Sequence, residues 1–587
     1  MPSHYQPNRT VILTIMLTMC FRTVCPQLIQ RLLHTTAISF LSGVIATLPA
    51  RSAEKIYFDY GPFGRVLSTS SLESFAEDGT VDDELAPYLN LLPPEKHEEF
   101  QRILSTPLTS LSVGVPEEIG DHSFLAQWLY SPIGEFMLAR VGELIQTQGH
   151  LNGKQAIRAA MILAAADPDG LSIINFIRSY PTGGIRLNLQ KVLTLYRAIN
   201  TNIDTTEQLG ISAAQHSEAA AAAEPAIDYN ALPVLAETGK LDVVQRSLML
   251  HDSQRDRTFP ADLYLPEDLN AIQGPIPVMV LSHGYGDSRT NPEATAAARS
   301  LAANGFVVAL PEHVGSNKAY QEDLIAGLNR DSFEVMAFIN RPLDIRFLLD
   351  TLEQINDTEF QGRLQIDRVG ILGHSFGGYT VLAAAGATVD IDLLKQKCDP
   401  DPAKITPDKV NIALLLQCRV LELADSPNVI RQLTDGNLAD ERVGLVMAMA
   451  PVSSLFGENG MGRLQMPVVI MGGARDIATP IALEQVVAFQ GLTTSQKYLY
   501  LGENLSHSPL LTRLALNTFN PNSAMIDDLD ETAEIFSSLI VSLAIAHGHV
   551  YLLDNESYRP YLTSAYVEAV SVEPFKLHLL RSIPDAF

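Results

Sequence analysis

The chain has 587 residues, 46% hydrophobic and 18% charged, which allows a sizeable buried core and excludes a disordered chain. Its 41 Lys and Arg against 67 Asp and Glu leave a formal charge of −26. Nucleic-acid affinity rests on cations that displace phosphate counterions, so so acidic a chain excludes that class of function.

In chain order, residues 1–53 read as a leader. Two apolar runs, Val11–Cys20 and Ala37–Leu48, flank Arg22 and Arg31, and each is too short to span ~30 Å of hydrocarbon. Ala50-Arg51-Ser52-Ala53 follows them as an imperfect cleavage site. The order predicts an exported protein, periplasmic or extracellular, with translation starting at Met16 or Met19; an uncleaved leader would instead tether it to a membrane. Of the four cysteines, Cys20 and Cys25 lie in the leader. Cys398 and Cys418 remain, and a disulfide and two buried thiols stay open between them.

Residues 54–209 predict an all-α domain. Ser70 and Glu73 stand at capping-box spacing, Pro93-Pro94 opens a second helix, and Met137, Leu138, Val141, Leu144 and Ile145 form a half-buried stripe. Similar stripes run through Gln155–Ala166 and Leu187–Ile199. No nucleophile or phosphate loop occurs there, so the domain is either a packed bundle or a lid that guides substrate. Residues 210–235, with Ala219–Ala223 and two prolines, have a linker composition that also admits a helical stretch.

From 236 to 587 strands and helices alternate. Apolar runs at Phe259–Leu265, Pro277–Ser282, Phe306–Leu310, Arg368–Leu372, Gly444–Ala450, Pro467–Met471 and Lys497–Leu501 predict strands, with helices at Glu293–Ala303 and Arg341–Leu352. Such alternation predicts a mostly parallel α/β sheet wrapped by helices. Residues 389–442 interrupt it as a polar, partly helical insertion, either a lid or a surface excursion.

Gly373-His374-Ser375-Phe376-Gly377 carries the chemistry. A serine hydroxyl attacks a carbonyl only when it is exposed, offered to a base and set beside oxyanion donors, and a Gly-x-Ser-x-Gly strand-to-helix turn arranges this. Strand Val369–Leu372 precedes it and small-residue helix Gly378–Ala387 follows, as the turn requires. The base must lie downstream, and His507, just past the last apolar strand, is the candidate; His547, His549 and His578 sit in helical or terminal contexts. Asp476, on the loop after Pro467–Met471, is the candidate acid that would fix the imidazole tautomer, a loop-capping role beside Arg475 being the alternative. The backbone N–H groups of Phe376 and of Tyr285, in His283-Gly284-Tyr285-Gly286, are the candidate oxyanion donors, while His283 and His374 read as braces. No metal spacing and no need for a cofactor appear.

These residues resemble the α/β-hydrolase superfamily, and more narrowly platelet-activating-factor acetylhydrolases and the dienelactone-hydrolase-like and polyester-hydrolase-like esterases. Ser282–Gly286 is similar to that group's oxyanion loop, Gly373–Gly377 to its elbow, and Arg341-Pro342-Leu343-Asp344 to a segment before its elbow strand. The whole chain resembles cyanobacterial exported hydrolases whose amino-terminal domain has no assigned role. Animal platelet-activating-factor acetylhydrolases take their acid soon after the elbow, where this chain has Gly444–Pro451 without a carboxylate. The resemblance therefore implies a serine esterase with its acid at Asp476, acting on a small-molecule or lipid ester, a short-acyl phospholipid among them, with association at a membrane surface. A peptidase, a thioesterase or a non-catalytic lipid- or partner-binding protein on the same scaffold are the alternatives.

Overall fold

A computed structural model describes residues 52–90, 92–106, 122–225, 227–399, 406–507, 529–572 and 575–583. All but the last two residues of the expected leader, with Cys20 and Cys25, lie outside the described residues.

The apolar runs after residue 236 build a sheet covered on both faces. Its strands are β5 (Val243–Asp252), β6 (Arg257–Pro266), β7 (Ile276–Ser282), β8 (Val307–Pro311), β9 (Leu364–His374), β10 (Val443–Met449), β11 (Val468–Gly473), β12 (Lys497–Gly502) and β13 (Leu577–Leu580). They lie in the order β13-β12-β11-β10-β9-β7-β8-β6-β5. The run from β12 to β8 is parallel, and β13, β6 and β5 join antiparallel at the two edges. Alternate side chains point to opposite faces, so Val278 and Val280 enter one hydrophobic core while Met279 enters the other. Leu445 and Met447 likewise face away from Val446 and Ala448. Helices Ala337–Glu359 and Phe376–Ala384 fill the first face, and Pro292–Ala303 and Leu529–Leu552 the second.

The chain leaves β7 for β8 on one side and, through β9, moves to β10, β11 and β12 on the other. The order thus reverses between β7 and β9, and the loops beyond their carboxyl ends open a crevice there. Ser282 pairs with Gly373 at that end, which sets the His283–Gly286 loop beside the Ser375 turn.

The amino-terminal body is mostly helical, yet it departs from the expected all-α domain by containing a sheet of its own. β1 (Lys55–Tyr60), β2 (Phe63–Ser68), β3 (Ile145–Thr147) and β4 (Gly184–Asn188) lie in the order β2-β1-β4-β3. β1 and β2 bury only Ile56 and Leu67, so no apolar alternation advertises them. The first helix, Thr69–Asp78, is preceded by Ser68 without a side-chain cap, so the Ser70–Glu73 capping box is not formed; Gly79, left-handed at φ 79°, ends it. Leu72, Phe75, Leu138, Ile157, Ile174 and Ile185 share the core of this body.

Residues 210–223, linker-like in composition, complete a 35-residue helix, Leu189–Ala223. Alanine has the best helix propensity, and the small side chains of Ala213 and Ser217 are buried by close packing. Ser217 Oγ accepts from Leu579 N at 3.2 Å, and the Glu224 carboxylate accepts from Ser564 N at 3.2 Å and Ala565 N at 2.7 Å. Trp128 packs against both the amino-terminal core and the sheet core.

The 389–442 insertion is tied down. Cys398 and Cys418 form a disulfide with Cα atoms 5.6 Å apart. Arg419 grips Asp331 with two hydrogen bonds of 2.8 and 2.7 Å. Among the described residues no helix is long and apolar enough to cross a membrane.

Candidate active site

Ser375 stands between β9 and the Phe376–Ala384 helix with φ 57° and ψ −117°, a conformation a residue with a side chain adopts only under constraint. The constraint is close packing through glycine: a Cβ on Gly377 would lie 2.0 Å from Ser282 O, and one on Gly373 would lie 2.1 Å from Gly377 O. Ser375 N donates to Met449 O at 2.8 Å and its carbonyl accepts from Val452 N at 3.2 Å, so the turn is also fixed to the neighbouring strand.

The three expected side chains meet. His507 Nε2 is 2.8 Å from Ser375 Oγ, and His507 Nδ1 is 2.8 Å from Asp476 Oδ2. Asp476 is buried, and its two oxygens make the contacts that both readings require. Oδ1 accepts from Ala478 N and Thr479 N, both at 2.8 Å, which caps the loop, and Oδ2 turns to the imidazole. With the Nδ1 proton held by Asp476, Nε2 is left as the acceptor facing the serine hydroxyl.

The loop carrying His507 is anchored from two sides. Ala474 N donates to Gly502 O and Arg475 N to Leu505 O, each at 2.8 Å. His374 Nε2 donates to the carbonyl of His507 itself at 2.7 Å. Burial, reinforced by the neighbouring His507, pulls the His374 pKa down to about 4, so His374 is neutral at pH 7 and works as a brace.

The His283–Gly286 loop lies against the elbow: a Cβ on Gly284 would stand 3.5 Å from Ser375 Cβ. His283 Nδ1 donates to Gly284 O at 2.8 Å, and its Nε2 accepts from His313 N at 3.0 Å. Burial, with the Arg341 charge nearby, holds His283 well below the ordinary imidazole range. Tyr285 Oη donates to Ser332 O at 2.7 Å, which fixes the residue whose N–H is the candidate donor. The N–H of Phe376 lies in the first turn of its helix, where a donor has no intrahelical acceptor.

The other histidines are elsewhere occupied. His547 Nε2 lies 3.1 Å from Tyr500 Oη, His549 stacks on Tyr558 at 3.9 Å, and His578 sits between Glu568 and Glu503 at 2.9 and 2.8 Å.

Two groups escaped the sequence reading. Thr479 Oγ1 bonds Asp476 Oδ2 at 2.8 Å, with His507 Nδ1 3.2 Å away, and its N–H is one of the Asp476 donors. Asp-x-x-Thr is the signature of such a side-chain-capped turn and was available to be read. Arg341, noticed only through its motif, reaches the His283–Gly286 loop and is fully buried. Among the described residues no cluster of His, Cys, Asp and Glu has the form of a metal site.

Residues 52–188 match the model of a family described as alpha/beta hydrolase of unknown function, DUF1400. The match covers most of the amino-terminal body and ends before the nine-stranded sheet. No protein of curated description matches the chain. The large, mostly parallel sheet flanked by helices has the α/β-hydrolase fold class, and the family that the amino-terminal body matches carries the same description.

Proposed function

We propose that the protein is a serine hydrolase of carboxylic esters. Ser375 Oγ attacks the ester carbonyl while its proton passes to His507 Nε2, and Asp476 stabilises the imidazolium that forms. The N–H groups of Tyr285 and Phe376 hold the tetrahedral oxyanion. Collapse expels the alcohol, protonated by His507, and leaves an acyl-enzyme. Water then attacks the acyl carbon, His507 takes its proton, and the acid departs as Ser375 recovers its own. The observation that carries the reading is the unbroken chain Ser375 Oγ, His507, Asp476, with both links at 2.8 Å.

Within this class we favour small or lipid esters, short-acyl phospholipids among them, because the oxyanion loop and elbow resemble those of platelet-activating-factor acetylhydrolases. We also read the protein as exported. The Cys398–Cys418 disulfide supports that reading, since such bonds persist in oxidising compartments.

Hydrolysis of a p-nitrophenyl ester is the test. Ser375→Ala should lower kcat on the order of a million-fold, and Asp476→Asn by ~10⁴. Turnover that survives Ser375→Ala removes the mechanism. A parallel panel of ester, thioester and peptide substrates separates an esterase from its rivals.

A further inference from the structure

We propose that Arg341 is a positioning residue for the oxyanion hole, fixing from behind the two backbone segments that carry its N–H donors. The inference rests on the reading of Tyr285 and Phe376 as those donors.

Arg341 lies on the Ala337–Glu359 helix, and its side chain is completely buried. A guanidinium is costly to bury, and it is usually found forked onto a carboxylate. Here the fork goes elsewhere. Nη1 donates to His283 O at 2.8 Å and Nη2 to Gly284 O at 2.9 Å, two successive carbonyls of the oxyanion loop. Nε donates to Ser316 Oγ at 2.8 Å, and Nη1 also approaches Thr380 Oγ1 at 3.4 Å. The neighbouring carboxylate, Asp344, is taken by other cations: Arg257 Nε at 2.8 Å and Arg255 Nη1 at 3.0 Å.

The carbonyl of Gly284 and the N–H of Tyr285 belong to one planar peptide unit. Holding the oxygen fixes the direction of the N–H at the opposite end. Gly284 O receives a second donor, His283 Nδ1, so the unit cannot pivot without losing two bonds. A full positive charge at the oxygen also polarises the amide, and hydrogen bonds in a chain strengthen one another by about 10–30%. The Tyr285 N–H thereby becomes a better donor to a developing negative oxygen.

The same guanidinium lies 4.7 Å from the centre of the Phe376 ring. That ring belongs to the residue whose N–H is the second donor. Arg341 thus bonds the backbone that leads into the first donor and packs on the side chain of the residue that carries the second. A brace serving only stability needs neither the charge nor the two adjacent carbonyls.

The experiment uses the full chain and counts active sites with a fluorophosphonate, so that kcat is expressed per labelled Ser375. Arg341→Met should lower kcat for p-nitrophenyl acetate by about 10²-fold at unchanged KM, the size of a misplaced oxyanion donor. Affinity for a trifluoromethyl ketone, which forms a tetrahedral oxyanion on the serine, should fall by the same factor. Arg341→Lys keeps the charge without the fork and should recover part of both. A merely structural role would reduce the number of labelled sites and leave kcat per site and ketone affinity unchanged, and that result overturns the proposal. If Arg341→Met does not fold, Ser316→Ala decides. It removes the acceptor of Nε, along with the Ser316 Oγ donation to His313 O at 3.2 Å, and should lower kcat and ketone affinity in parallel by a few-fold; no parallel loss overturns the proposal. Turnover persisting in Ser375→Ala would instead refute the esterase reading itself, before any Arg341 variant is made.

Discussion

Replacing Glu484 with Gln takes one oxygen from a carboxylate that is completely buried and ringed by donors. Oε1 accepts from Gln417 Nε2 at 2.6 Å, from Asn411 Nδ2, and from Ser454 Oγ at 2.9 Å. Oε2 accepts from Ser453 N at 2.6 Å and Ser454 N at 2.7 Å. A glutamine amide must turn its NH₂ toward one of these sets. The Ser453 and Ser454 N–H groups are backbone and cannot reverse. Asn411 and Gln417 are held against flipping, because Asn411 Oδ1 accepts from Ala413 N at 3.0 Å and Gln417 Oε1, at 3.0 Å, shares the one Ser454 Oγ proton with Glu484 Oε1. Either orientation strands two buried donors, at about 1–3 kcal/mol each, so the loss is roughly 2–6 kcal/mol. At about 2 °C per kcal/mol for a body of this size, scanning calorimetry should show the hydrolase transition lowered by roughly 4–12 °C. A transition within about 1 °C of wild type would refute the reasoning, since it would mean that the donors find water or new acceptors.

Replacing Cys398 and Cys418 together by Ser frees a segment with a sequence separation of 20 and should cost about 3 kcal/mol on the loop-entropy estimate. Wild-type protein should show the same drop on reduction, and an unchanged denaturation midpoint would contradict this. Burial first of all holds His313 and His374 at about 4 and His547 at about 3. An unfolded histidine titrates near ~6.5, so below that pH the unfolded state binds protons that the folded state refuses. Their contribution is present above ~6.5 and is lost as pH falls toward ~4, by about 1.4 kcal/mol per pH unit for each group. Denaturant unfolding between those limits should therefore be flatter in His547→Gln by about that amount, and an unaltered slope would remove the assignment.

What was legible in the sequence follows the range of the interactions involved. The elbow is a local device: a strand, two glycines and a small-residue helix adjacent in the chain, so Ser375 was readable directly. Asp476 and His507 were readable because each follows an apolar run, and a parallel sheet lines up the carboxyl ends of such runs. β1 and β2 were invisible because they bury one residue apiece, leaving no period to detect. The helical continuation through 210–223 was left open between linker and helix, because small residues suit a linker and a closely packed helix equally. Glu484 was the least visible. Its partners lie up to 73 residues away, and a lone glutamate in the apolar stretch Ile481–Ala488 matches no motif that would announce a buried polar cluster.

The insertion and the amino-terminal body, which look like separate additions in the sequence, bear on the site through one shared segment. Residues 318–333 link them to the His283–Gly286 loop. Gln127 Nε2 of the amino-terminal body donates to Ile325 O at 3.3 Å, and Arg419 of the insertion holds Asp331. One residue further on, Ser332 O accepts both Tyr285 Oη at 2.7 Å and Gln321 Nε2 at 2.6 Å. A displacement of either addition therefore reaches the side chain of Tyr285 through two or three hydrogen bonds. Its backbone is clamped independently, through Gly284, by Arg341. The side chain of Tyr285 is thus tied through Ser332 to the segment that both additions grip, while its N–H is held from the core through Gly284 and Arg341.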